Sequence, residues 1–528
     1  MSIDKCVTGQ NIQPIPSQES FRPNDINKEE FYIKHSQLIE EVRNLCKNGP
    51  FKTLDMVDAL RKLCINHHFK EEITSILKMF HTQMPYVDDY TDAQTLCDVS
   101  NRFRILRQEG YIVSADVFER FKQKDGNFKQ EMAQDVKGLV ALYEASQLSI
   151  EAEHILEEAA EFSSHALKDE NLPFLDQDET TMVRDTLEHS YQRTPSTFKV
   201  KKFINLFFGS AISDLAKLEL AIAQHLHRTE VEEISKWWKD LGLADEFKLA
   251  RNQPMHWYLW PMAGITDPCL SEPRIELTKV IALVYIIDDI FDVYGKLDEL
   301  VILTEAVQRW DRNTLAQLPY HLRICIQALY DVTHEISDKI YKNHGFNPIE
   351  FLKQAWTSLC EAFLVEAKWF ASGYMPTAED YFKNGIISSG ANVVIVHMFF
   401  LLGGGTSKES ANTINDNQGI SSCLGKILRL WDDLGSAKDE DQDGNDGSYV
   451  TYYMKENEGS SVESAREHVM EMINNTWKQL NKECLSPSPF SATFINACLN
   501  LARMIPLMYN YDENHTLPLL KDYISCMF

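Results

Sequence analysis

From about Glu29 onward, apolar residues recur at the three- and four-residue spacing of a single helix face. Phe31, Leu38, Val42 and Leu45 form one such stripe, and Leu139, Leu142, Tyr143 and Leu148 form another. Short breaks such as Asn48-Gly49-Pro50 and Asp125-Gly126-Asn127 separate the stripes, and no stretch sustains the two-residue alternation of strands. The pattern predicts an all-α protein without a fixed-period repeat. Two segments are apolar on every side and read as buried helices. One, Ile281 to Ile287, ends in Asp288, Asp289 and Asp292. The other, Ile386 to Leu402, is interrupted by Ser388, Ser389 and Gly390, which predict a bend with a carbonyl free to face a cavity. Residues 1–26 carry Pro14, Pro16 and Pro23 without periodicity and read as a flexible arm. The remainder divides into 27–220 and 221–528, with the junction near 215–230, ahead of the tandem Trp237 and Trp238.

Composition narrows the partners. Apolar residues make up 44% of the 528, enough for large cores. With 52 basic against 78 acidic residues the formal charge is −26, which argues against nucleic acid or an anionic membrane as partner. An anionic substrate would need local basic residues or metal ions. The 11 cysteines include no CxxC pair and read as reduced thiols of an intracellular protein. No apolar run approaches the roughly 18 residues of a membrane span; Val393 to Leu402 is the longest, and His397 interrupts it. The first 30 residues hold Asp4, Glu19, Asp25, Glu29 and Glu30 against Arg22, which favours the cytosol over the plastid.

The chemistry concentrates in two acidic motifs. Asp288 and Asp292 are one α-turn apart, so they share a face at the end of a buried helix, with Asp289 beside them. Carboxylates there are costly unless a cation meets them. Mg²⁺ suits them, since it takes one or two carboxylates and completes its octahedron with water and substrate phosphate. Asp88, Asp89 and Asp92 repeat the spacing but follow Pro85 and polar residues, so they read as a solvated loop or first helical turn. The second motif is Asp432, Ser436 and Glu440, oxygen-bearing residues every four positions, each step rising about 6 Å along one face. A hydroxyl between two carboxylates is a poor acid–base pair but a good oxygen ligand set for Mg²⁺. Arg429 lies one turn before Asp432 and could bind phosphate oxygens bidentately. Lys438 to Tyr449 is too polar and Gly-rich for a core element and reads as a mobile loop or lid.

Taken together, these residues resemble the plant class I terpene synthases over nearly the full length, from roughly residue 27 onward. Asp288, Asp289 and Asp292 match that family's aspartate-rich motif, and Asp432, Ser436 and Glu440 match its second metal motif. Further matches are RFRILRQEGYIVSADVF (102–118), GNFK (126–129), DVKGLVALYEAS (135–146) and WWKDLGL (237–243). The resemblance implies a relic N-terminal helical domain at 27–220 and a C-terminal metal-binding catalytic bundle at 221–528. It also implies three Mg²⁺ ions, or Mn²⁺, held by Asp288, Asp292, Asp432, Ser436 and Glu440. The substrate implied is geranyl or farnesyl diphosphate, its diphosphate met by Arg251 and Arg429, with Lys455 a further cation. Trp260 and Tyr258 would stand against the prenyl chain, and a monomer is expected. The DxDD motif of class II chemistry is missing from the sequence, so ionisation by metal is implied rather than protonation of an alkene.

Two departures refine the expectation. Where the family usually has Arg-Asp-Arg, this chain has Arg251-Asn252-Gln253; and residues 1–45 hold no tandem arginine with a downstream tryptophan. Both resemble the subgroup that makes acyclic alcohols, the linalool and nerolidol synthases. The alternatives are a cyclising or hydrocarbon-forming mono- or sesquiterpene synthase, a chain-elongating prenyltransferase, and a non-catalytic helical metal-binding protein. A prenyltransferase would normally carry two aspartate-rich motifs, whereas the second site here is DDLGSAKDE.

Overall fold

A computed structural model describes residues 28–48, 54–82, 95–169, 177–207, 209–247, 251–405, 408–415, 418–439, 447–485, 487–512 and 516–528. The expected arm, the Asp88–Asp92 motif and residues 440–446 of the expected loop lie outside them. Among the described residues every element is a helix, and extended pairing is confined to one isolated bridge between Lys122 and Phe128. All-α is the observed fold class. The ten described cysteines are free.

In the N-terminal half, buried arginines tie short helices together. Arg104, on the Leu96–Gln108 helix, grips both oxygens of Asp58 at 2.9 and 2.8 Å. One turn on, Arg107 donates to the carbonyls of Val113 and Leu148 at 2.7 and 3.0 Å and pairs with Glu153. Burial of such cations is tolerable only because each finds several acceptors. The C-terminal helix Pro518–Met527 returns to this half, where the Tyr523 hydroxyl lies 2.9 Å from Thr197 Oγ1.

The helix Ala211–Leu241 starts where Ser210 accepts from the Ser213 N–H and ends at Gly242, whose φ of +73° suits the left-handed cap. The expected division at 220 falls inside this helix. Trp238 near its end is buried edge-on against Trp257, ring centroids 4.9 Å apart, while the Lys279 ammonium lies 5.9 Å from the Trp237 ring. The tandem pair thus serves packing at the junction with the bundle.

The Ser271–Asp289 helix runs through the centre of the C-terminal bundle, packed against Ala211–Leu241, Pro254–Gly264, Tyr320–His344 and Ala391–Leu401. Its all-round apolar character follows from having neighbours on every side. Its one deeply buried cation, Arg274, binds Glu230 of the long helix through two bonds of 2.9 and 2.7 Å. The predicted bend is real. Helix Ala378–Ser388 stops, Gly390 takes φ +73°, and Ala391–Leu401 begins. A Cβ on Gly390 would come within 2.6 Å of Val284 Cγ1, so the glycine answers both the turn and the contact. Taken as one stretch, Ala378–Leu401 is long and apolar enough to cross a membrane, longer than the run read from the sequence. However, 72% of its apolar window is buried inside the protein, and it serves as core.

Candidate active site

The α-helix carrying the first motif ends at Asp289, and Ile290–Tyr294 continue it as a π-turn. The expected single α-turn between Asp288 and Asp292 is therefore wider, a distortion common at functional sites. The two carboxylates remain close enough for the Asp288 charge to act on Asp292. Asp292 sits at the rim, and partial loss of hydration together with the Asp288 charge raises its carboxyl above the usual carboxylate range. Asp289 turns the other way, is buried, and accepts from the Arg251 backbone N–H at 2.9 Å and from Arg251 Nε at 2.8 Å. The Arg251 guanidinium also binds Asp288 and lies 4.7 Å from the centre of the Tyr285 ring.

The second motif repeats the division of labour. Helix Ile420–Asp439 carries Asp432 and Asp433, both buried. Asp433 accepts from the Tyr449 N–H and from the Tyr381 hydroxyl, each at 2.9 Å, and pairs with Arg429 Nε at 3.0 Å. Burial nonetheless raises its pKa to about 6. Asp432 pairs with Arg429 and faces the cleft; burial raises its pKa, Arg429 opposes that, and the Asp288 charge raises it further. In each Asp-Asp pair, one member points into the cleft and the next clamps a backbone N–H and an arginine. Ser436 lies on the same helix; its side chain and Glu440 lie outside the described residues. Gly385 makes room for Arg429, since a Cβ there would stand 2.6 Å from Arg429 Cδ.

Between the two acidic helices stands a group the sequence reading missed. Glu366, on helix Ile349–Ser372, accepts from Asn384 at 2.9 Å and from Ser388 at 2.7 Å. Burial raises its pKa, with Arg429 opposing and Asp288 adding to the rise. Its signal in the sequence was an acid at the end of the apolar run Ala362 to Val365, which Glu361 borders on the other side. Below the carboxylates, the Trp260 indole N–H reaches the Tyr285 hydroxyl at 3.3 Å, and Tyr509 stacks obliquely 6.4 Å from Trp260. Tyr258 is elsewhere: its hydroxyl donates to Glu230 at 2.6 Å in a closed network with His227 and Arg274. Two positions apart on one helix, Tyr258 and Trp260 diverge by about 200°, so they cannot line one wall. Lys455 is exposed and reaches Met375 Sδ at 3.6 Å.

Among the described residues the acidic donors of the cleft are all oxygen, and burial, with the Asp288 charge adding to it, raises the pKa of Asp292, Glu366 and Asp432. A hard divalent cation would compensate that buried negative charge, so these residues fit Mg²⁺. Residues 239–479 match the terpene synthase family metal-binding domain, and residues 12–189 match the terpene synthase N-terminal domain. The S-(+)-linalool synthase of Arabidopsis thaliana is 43% identical, covering 93% of this chain and 88% of its own length. An (E)-nerolidol synthase of Cannabis sativa is 44% identical over 92% and 90%, and the tricyclene synthase Oc15 of Antirrhinum majus is 44% identical over 93% and 86%. Isoprene synthase of grey poplar, solved with three Mg²⁺ ions and dimethylallyl-S-thiolodiphosphate, superposes with a TM-score of 0.88 at 33% identity, covering 96% of this chain and 98% of its own. With two acidic helices facing one cleft and both domains matched, the chain belongs to the terpene synthase family and is a class I enzyme, a Mg²⁺-dependent lyase of prenyl diphosphates.

Proposed function

We propose that this enzyme ionises geranyl or farnesyl diphosphate and lets water capture the cation, releasing linalool or nerolidol as acyclic tertiary alcohols. The reading assigns Asp288, Asp292, Asp432, Ser436 and Glu440 to the metal ions. When bound, Mg²⁺ supplies charge neutralisation of the departing diphosphate. Arg251 and Arg429 are paired with the cleft carboxylates, which keeps both guanidiniums fixed at the rim. Asp288 and Asp432 would hold the metal, and Arg251 and Arg429 beside them would donate to diphosphate oxygens and stabilise the charge growing on the leaving group. Trp260, Tyr285 and Tyr509 present aromatic faces that favour an allylic cation while shielding it. No side chain acts as nucleophile.

The single observation carrying the alcohol assignment is Gln253. It stands two residues after Arg251 as the N-cap of helix Pro254–Gly264, where plant class I synthases usually carry arginine, and its side chain does not cap that helix. The segment is held instead by Asn252, whose Oδ1 accepts from Trp238 at 2.7 Å. Gln253 adds no positive charge near the departing diphosphate, so the closed site is looser and wetter. Water then reaches the tertiary carbon before isomerisation and ring closure. The relatives named for linalool and nerolidol synthesis support this reading, while the similarly close tricyclene synthase marks the competing cyclic outcome.

Gas chromatography tests it. Wild-type product is expected to be mainly acyclic tertiary alcohol, and Gln253→Arg is expected to move part of the product to hydrocarbon. Mostly cyclic hydrocarbon from the wild type overturns the assignment; an active Gln253→Arg with an unchanged alcohol fraction overturns the role of Gln253 and leaves pocket shape as the determinant. The expected cytosolic location stands against the chloroplastic designation of two of these relatives. A fluorescent fusion of the full chain, imaged against chlorophyll, decides between them.

A further inference from the structure

Far from the acidic cleft, three imidazoles converge on one carboxylate. His35 comes from helix Lys28–Asn48, His67 and His68 from the turn Asn66–Phe69, and Glu219 from helix Ala211–Leu241. His35 Nε2 and His68 Nε2 lie 2.5 and 2.6 Å from the same oxygen, Glu219 Oε1, and His67 Nε2 lies 3.6 Å from Oε2. The ligand atoms of His35, His68 and Glu219 all fall within 4.8 Å of one another. Glu219 is buried, with 8% of its side chain exposed, while the histidines keep 17–22%, enough for an ion to enter.

We propose that His35, His68 and Glu219, with His67 as a fourth ligand, bind a zinc-class transition-metal ion that staples the N-terminal segment to the long helix. Two or three imidazoles plus one carboxylate is a donor set for Zn²⁺ or Co²⁺ at about 2.0–2.2 Å in tetrahedral geometry. Mg²⁺, which demands oxygen and water, is disfavoured there, so the site and the acidic cleft sort their metals by donor type. The present contacts run from each Nε2 to a shared carboxylate oxygen. Binding requires the Nε2 lone pairs to turn to the ion, with the proton on Nδ1, and the carboxylate to move outward by a rotamer adjustment. Zinc bound in this way fixes three segments distant in sequence and raises the melting temperature without entering the reaction.

The test uses tag-free, EDTA-treated full-length protein in excess Mg²⁺, which occupies the oxygen site, titrated with Co²⁺. One equivalent is expected to bind with the intense visible absorption of a four-coordinate nitrogen-containing site, to be displaced by Zn²⁺, and to raise the melting temperature. His35→Ala with His68→Ala is expected to abolish the band, and Glu219→Gln to weaken binding about 10-fold or more. X-ray absorption of Zn²⁺-loaded wild type, which depends on no variant folding, should count two or three imidazole nitrogens. The proposal is overturned if the wild type gives no such band, if the band survives in the folded double variant, or if the zinc shell contains oxygen alone.

Discussion

Asp288→Ala or Asp292→Ala is expected to lower kcat/KM for the prenyl diphosphate by about three orders of magnitude or more, the scale of losing electrostatic stabilisation of a leaving group. Asp89→Ala, in the motif of identical spacing, is expected to stay near wild type. Asp288 and Asp292 end the central buried helix, face Asp432 and Glu366 across the cleft, and have Arg251 beside them. Removing either carboxylate takes away a proposed metal ligand, and removing Asp288 also leaves Arg251 with one partner fewer. Asp89 follows a proline and polar residues with no apolar run behind it. The comparison needs steady-state kinetics with circular dichroism on each variant. Equal losses in all three correctly folded proteins would show that context does not separate the motifs.

The largest stability effect is expected at Glu230. Arg274 is fully buried and bound bidentately to Glu230, and it also donates to the carbonyls of Ile265 and Asp267 at 3.0 and 2.7 Å. The Tyr258 hydroxyl donates to the same carboxylate at 2.6 Å. This network joins the long helix to the helices bearing Trp260 and Asp288, so it sets the floor of the active site. Glu230→Ala leaves the Arg274 charge buried without a counter-ion, a loss of about 3–5 kcal/mol. Glu230→Gln, which keeps hydrogen-bond acceptors but not the charge, should lose less. Thermal melts read the order wild type, Gln, Ala. An unchanged melting temperature in Glu230→Ala would mean that Arg274 escapes to water and that the network is not what positions the floor.

What was legible in the sequence was what local pattern encodes. An unbroken apolar run, Ile281 to Ile287, ahead of three carboxylates reads as a buried helix, and the structure has that helix. The Ser388-Ser389-Gly390 break was legible for the same reason, since glycine at positive φ stops a helix whatever surrounds it. What was not legible depends on partners distant in the chain. Nothing local distinguishes Asp288 from Asp289, yet one faces the cleft and the other clamps Arg251 from 38 residues away. Tyr258 and Trp260 look alike as aromatics of one segment, and Glu230, on another helix, decides which faces the core. The π-turn at Ile290–Tyr294 has no sequence signature of its own, so the expected α-spacing of Asp288 and Asp292 had no local contradiction. The histidine cluster is the clearest case. His35, His67, His68 and Glu219 are unremarkable until the fold brings three segments together.

Isotope labelling tests the central claim most directly. Incubated with Mg²⁺ and geranyl diphosphate in oxygen-18 water, the wild-type enzyme should release linalool carrying the solvent oxygen on its tertiary carbon, as read by gas chromatography with mass spectrometry. Carbon–oxygen cleavage followed by water capture allows no other origin for that oxygen. A primary alcohol retaining the unlabelled substrate oxygen would mean that the phosphorus–oxygen bond breaks instead, and a cyclic hydrocarbon with no oxygen would mean that ring closure outruns water. Either result contradicts the account.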